Sequence, residues 1–109
     1  MQRPRPVGTV RTIASMDEGV AEARRTPGAR LVDVREEGEF LAGHVPDAAN
    51  VPLSQLGRIA DVAQDRATPL FLYCASGARS ARAARELVRA GYADVRDIGG
   101  INDYTGPRT

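Results

Sequence analysis

Residues 69–80, PLFLYCASGARS, constrain the fold more than any other stretch of the chain. From Leu70 through Tyr73 every side chain is apolar, so a strand there has no solvent face and must be covered on both sides. Sheets covered on both sides are built from parallel strands joined by helices, and the flanking pattern agrees. Arg79 to Ala90 sets Ala84, Leu87 and Val88 on one helical face and Arg82, Arg85 and Arg89 on the other, with Gly91 placed to end the helix. Arg30–Val34 and Asp94–Ile98 read as further strands, Thr9–Ile13 as a weaker one and Ala49–Val51 as the weakest. Ser15 and Glu18 stand at capping-box spacing before a helix that Pro27-Gly28 stops. Glu36–Ala42 reads as a short helix ended by Gly43. Leu53–Gln64 carries Leu56, Ile59, Ala60 and Ala63 at helical spacing and is expected to form one helix. The expectation is one α/β domain over residues 9–104, a parallel sheet with helices on both faces, flanked by short tails at 1–8 and 105–109.

Composition removes several classes of chemistry. The chain has 109 residues, enough for one core that buries roughly two thirds of the unfolded surface. Fifteen basic residues against 14 acidic give a formal charge of +1, which argues against a nucleic-acid or membrane partner held by a basic surface. Every basic residue is Arg, so Schiff-base, lysine-base and Walker-type phosphate chemistry are absent. Cys74 is the one cysteine, which excludes an internal disulfide and a resolving thiol. With His44 the one histidine, no transition-metal site is expected, and no cofactor. The start of the chain lacks the apolar core of a secretory signal, and no run approaches the ~18 apolar residues of a membrane span. The expected setting is soluble, reducing and cytoplasmic.

Cys74 ends the buried strand, and Gly77 lies in the short loop before the next helix. Ligands of open α/β sheets bind at the carboxyl ends of the strands, which is where this cysteine stands. A lone cysteine is by default an inert, packed hydrophobe. At the entrance to a helix, however, free N–H groups and the positive end of the helix dipole favour thiolate over thiol, and Arg79 adds a fixed positive charge. Ala75, Ser76, Gly77 and Ala78 are small, and Gly77 can adopt positive φ, so the backbone can curl around an anion. Four residues separate Cys74 from Arg79. Cysteine phosphatases resemble this arrangement but keep five, in a ring wide enough for phosphate. The shorter loop suits a smaller guest, a single sulfur atom carried on the cysteine.

Four blocks, in order, resemble the rhodanese family: Leu31–Glu36 (LVDVRE) with Phe40, Gly43–Leu53 (GHVPDAANVPL), Cys74–Ser80 (CASGARS) and Ile98–Ile101 (IGGI). The resemblance runs from about Thr9 to Tyr104. It implies a three-layer α/β domain with a central five-stranded parallel sheet, and a thiosulfate sulfurtransferase-like enzyme that carries a persulfide on its loop cysteine. The implied donor is thiosulfate or another sulfane anion, and the implied acceptor is cyanide, a small thiol or a protein thiol. Carried onto this chain, Cys74 is the catalytic sulfur carrier, and the N–H groups of Ala75, Ser76, Gly77, Ala78, Arg79 and Ser80 bind the transferred sulfur. Arg79 either steers an anionic donor or pairs with a carboxylate to brace the loop. Asp33 and Arg35 border the pocket, Arg35 as a candidate for anion recognition and Asp33 as half of an ordinary ion pair. His44 belongs to the GHVP turn, a structural element in the family, and a thiolate route needs no base from it. Glu36, Glu37 and Glu39 read as a solvated helix start. Tyr104 stands where many members have Trp, a packing substitution. The alternatives are a non-catalytic binding or redox-sensing module of the same fold, and a small cysteine phosphatase or arsenate reductase.

Overall fold

The computed structural model describes residues 9–109; the tail expected at residues 1–8 lies outside them. Five strands form one sheet: β1 Val10–Thr12, β2 Arg30–Asp33, β3 Ala49–Asn50, β4 Leu70–Cys74 and β5 Val95–Gly100. Their order across the sheet is β1-β5-β4-β2-β3, and every neighbouring pair is parallel. The helices are α1 Met16–Arg25, α2 Glu37–Ala42, α3 Ile59–Val62 and α4 Ala78–Arg89.

The central strand β4 shows why the fold holds. All five of its residues are buried, and they divide by alternation between two cores. Leu70, Leu72 and Cys74 turn toward Ala83, Ala84 and Leu87 of α4, together with Val32, Val34, Val51 and Ile59. Phe71 and Tyr73 turn the other way, onto Met16, Val20 and Ala23 of α1 and onto Val45, Ile98 and Ile101. Fully burying one such aliphatic or aromatic side chain is worth about 1.5–3 kcal/mol. Two-sided burial of β4 therefore clamps the sheet between its helical layers and fixes Cys74 on the α4 side.

One expectation needs correction. The stretch Leu53–Gln64 is not one α-helix. It is a 3₁₀ segment, Leu53–Arg58, followed by the single-turn α3. Gln55 leaves helical geometry at φ −131° and ψ 38°, a kink that lets Leu53, Leu56, Ile59 and Val62 all reach the core. Residues 105–109, the short tail after the domain, are held against it by hydrogen bonds. Thr105 N–H donates to Asp17 at 2.9 Å, Arg108 donates to the Ile101 carbonyl at 2.8 Å, and Thr109 exchanges two backbone hydrogen bonds with His44. The helix-start signals hold: Glu18 N–H donates to Ser15 Oγ at 3.3 Å, and α4 ends with Gly91 N–H on the Val88 carbonyl and Tyr92 N–H on that of Leu87. Among the described residues no helix is long and apolar enough to cross a membrane.

Candidate active site

Cys74 is the last residue of β4, and α4 begins at Ala78. The turn between them is set by Gly77, whose φ of +107° lies in the left-handed region that a side chain disfavours. This turn brings the Gly77 N–H to 3.0 Å from Cys74 Sγ, so the backbone donates directly to the sulfur. Among the described residues, the N–H groups of Ala75, Ser76, Ala78, Arg79 and Ser80 have no acceptor in the protein. Those on α4 are the orphan donors of its first turn. The thiol, only 1% exposed, thus lies against a loop whose remaining N–H groups are uncommitted.

Strand β5 supports the loop from beneath. Opposite β4 its register slips by one residue, with Leu72 paired to Asp97 but Tyr73 to Gly99. The slip is a bulge at Ile98, and the Asp97 carboxylate holds it by accepting the Gly99 N–H at 3.1 Å. Beyond it, Gly100 lies flat under the loop: a β-carbon there would fall 2.7 Å from Ser76 Cα. Asn102 N–H donates to the Ala75 carbonyl at 3.1 Å, tying the loop to the segment after β5. The supporting role of the Gly pair was not read from the sequence, where it appeared only as a closing motif.

Arg79 spans the loop's outer side. Its Nη1 and Nη2 meet Glu39 Oε1 and Oε2 of α2 at 2.6 and 2.9 Å, a two-pronged ion pair with both side chains more than a third exposed. The guanidinium, with smaller help from the Glu36 N–H, holds the Glu39 carboxyl at about 2, well below its usual range. Glu39 reciprocally raises Arg79, and Cys74 lies within electrostatic reach of the same guanidinium. Glu39, expected to be part of a solvated helix start, is instead the residue that tethers α2 to the active loop.

Arg35, expected to recognise an anion at the pocket border, is turned inward. It is 6% exposed and bonds Asp33 through Nε and Nη2, the latter at 2.7 Å, and also donates to the Gly43 carbonyl at 2.7 Å. This is the ordinary buried ion pair, closed further by the Arg35 N–H on Asp33 Oδ1 at 2.8 Å. Its Nε and Nη2 donors hold β2 to the turn after α2. His44 is also structural: its ring stacks on Phe40 at 3.7 Å between centroids and its Nδ1 is 2.9 Å from the Phe40 carbonyl. Tyr104 packs, partly buried, against the α1-side core.

Known proteins match this chain in sequence and fold. The family model described as "Rhodanese-like domain" matches residues 16–106. Uncharacterized protein YqhL of Bacillus subtilis (strain 168) is 41% identical over 80 residues, covering 72% of this chain and 62% of YqhL. Thiosulfate sulfurtransferase PspE of Escherichia coli (strain K12) is 33% identical over 78 residues, covering 71% of this chain and 75% of PspE. The solved structure titled "rhodanese with anions from E. coli" superposes with a TM-score of 0.70 at 32% identity, over 74% of this chain and 96% of that one. A parallel five-stranded sheet with a cysteine loop at the end of its central strand, matched in sequence over most of its length, makes this chain a member of the rhodanese-like domain family.

Proposed function

We propose that the protein is a sulfurtransferase that carries sulfane sulfur as a persulfide on Cys74. The observation that carries this reading is the loop of uncommitted N–H groups with its 3.0 Å contact from Gly77 to Cys74 Sγ. A bound anionic sulfur gains about 1.5–3 kcal/mol from each such charge-assisted bond. Relatives named thiosulfate sulfurtransferase support thiosulfate as the donor.

In the first half-reaction the thiolate attacks the outer sulfur of thiosulfate. A new S–S bond forms, the bond to the sulfonate sulfur breaks, and sulfite leaves with the electron pair. The anionic terminal sulfur rests among the N–H groups of Ala75 through Ser80. In the second, cyanide carbon or an acceptor thiolate attacks that sulfur, and Cys74 leaves as thiolate. The acceptor is cyanide, a small thiol or a protein thiol, reaching the loop at the carboxyl end of the central strand. A free thiol of this kind belongs in a reducing, cytoplasmic setting. Arg79, held by Glu39, braces the loop and keeps a positive charge at its lip for an anionic donor. Arg35 acts one layer further back, by fixing β2.

The test is thiocyanate production from thiosulfate and cyanide by the wild type beside Cys74→Ser. Activity lost in the variant supports the proposal. A wild type inert toward thiosulfate and other sulfane donors, yet binding a protein partner regardless of Cys74→Ser, would establish a non-catalytic module instead. Cys74-dependent hydrolysis of an aryl phosphate would establish a phosphatase, which the four-residue spacing opposes.

A further inference from the structure

Behind Cys74 lies a polar pair that the sulfur-transfer cycle leaves unexplained. Ser80 is fully buried, and its Oγ stands 3.6 Å from Cys74 Sγ and 2.7 Å from Asp97 Oδ1 of β5. Asp97 is 8% exposed, and among the described residues no basic side chain pairs with it. Its acceptor work, for the Ser80 hydroxyl and the Gly99 N–H, could be done by a neutral amide of the same shape. A buried, uncompensated carboxylate is the expensive choice, and its position suggests what the charge is for.

Three acceptors compete for the single Ser80 proton: the Gly77 carbonyl at 3.0 Å, the Gly99 carbonyl at 3.3 Å and the Asp97 carboxylate at 2.7 Å. The nearest is also the charged one and takes it. Ser80 then turns a lone pair toward the sulfur, and the resting thiol donates to it. The chain S–H to Oγ–H to Oδ1 points inward, from a thiol nearly sealed from water.

We propose that Ser80 and Asp97 form a proton relay that converts the Cys74 thiol to the attacking thiolate. The S–H bond breaks and its proton passes to Ser80 Oγ, while the Ser80 proton passes to Asp97 Oδ1. Nothing is oxidised or reduced. The buried cluster holds one negative charge before and after, so no second charge is created in the interior. Every hydrogen bond in the chain reverses, and Ser80 now donates to the thiolate alongside the Gly77 N–H. Ser80 touches the reacting sulfur, whereas Asp97 acts through it as a positioning residue. The other groups around the relay leave it this role. On β1 the neutral Thr12 is in register with Asp97, α4 contributes Arg79 already tied to Glu39 of α2, and on β2 Asp33 and Arg35 neutralise each other.

The relay rests on the proposed use of Cys74 as nucleophile, but it is testable without any sulfur donor. Cys74 is the one cysteine, so iodoacetamide reports on it alone. Alkylation is timed at pH ~7 and ~10 for the wild type, Asp97→Asn, Ser80→Ala and the double variant. At the lower pH both single variants are expected to react roughly tenfold more slowly, and at the higher pH, where hydroxide removes the proton, at the wild-type rate. The double variant is expected to be no slower than Ser80→Ala, because the two act in series. An Asp97→Asn rate at neutral pH equal to or above wild type overturns the relay, since the carboxylate would then only oppose the thiolate. Slowing at both pH values overturns it too, as a distorted loop. Should Asp97→Asn fail to fold, a Ser80→Ala rate at neutral pH equal to the wild type overturns the relay by itself. A protein that alkylates as described but never accepts sulfur refutes the transferase reading and leaves the relay standing.

Discussion

Gly100 is pressed so closely against the carbonyl of Ala75 that a β-carbon on it would lie 2.6 Å from that carbonyl's carbon. The obstacle is backbone, not the end of a flexible side chain, so the active loop has to move to admit even a methyl group. Gly100→Ala is expected to lower stability by about 1–3 kcal/mol, as overpacking does, and to depress sulfur transfer beyond the fraction unfolded. Urea unfolding and thiocyanate production on the same samples check this. Wild-type behaviour in both would mean that the loop does not depend on the β5 floor.

The Arg79–Glu39 pair has its own signature in pH. The Glu39 carboxyl is held at about 2 because the folded state favours its ionised form. The pair's contribution is therefore complete above the ordinary glutamate range and is lost as pH falls from there toward about 2. An NMR titration of the Glu39 side-chain carboxyl should show a midpoint below the ordinary glutamate range, and Arg79→Gln should raise it. Both partners are partly exposed, so a double-mutant cycle at neutral pH should give a coupling under ~1 kcal/mol. The larger effect is expected in sulfur transfer, through a loosened loop.

Tyr73 tests the opposite face of the same strand. Its hydroxyl accepts the Val45 N–H at 3.1 Å, and both residues are fully buried. Burial, with the nearby Asp33 charge, also pushes the phenol above its ordinary range, so it stays protonated in the folded protein. Tyr73→Phe strands a buried N–H in the turn after α2 and should cost about 1–3 kcal/mol. Because Tyr73 points to the α1 side and Cys74 to the α4 side, transfer per folded molecule should hardly change. Chemical denaturation paired with the transfer assay separates the two effects.

What could be read in advance was whatever lay in one short window. The apolar run of β4, the Ser15–Glu18 cap, the stripe of α4 and the cysteine at a strand's end all express local chemistry, and Asp33 with Arg35 two residues on was readable as a pair. The bracing of the site was not. Glu39 and Arg79 are 40 residues apart, and Ser80 and Asp97 are 17 apart; they meet only because β4 is the centre of the sheet with β2 and β5 on either side. Leu53–Gln64 misled for a related reason. Helical spacing there reports which side chains turn inward, and a kinked 3₁₀ segment satisfies that requirement as well as a continuous helix. β5 ran past its expected end at Ile98 because two glycines, poor strand formers by propensity, are what the loop above them needs.

The most direct measurement is the intact mass of the protein after incubation with thiosulfate and removal of excess donor. Sulfur transfer through Cys74 predicts a gain of one sulfur atom, located by fragmentation on the Cys74 peptide, absent in Cys74→Ser, and discharged by cyanide with one thiocyanate released. A wild-type protein whose mass is unchanged by thiosulfate and by other sulfane donors, with Cys74 still open to alkylation, would contradict the account.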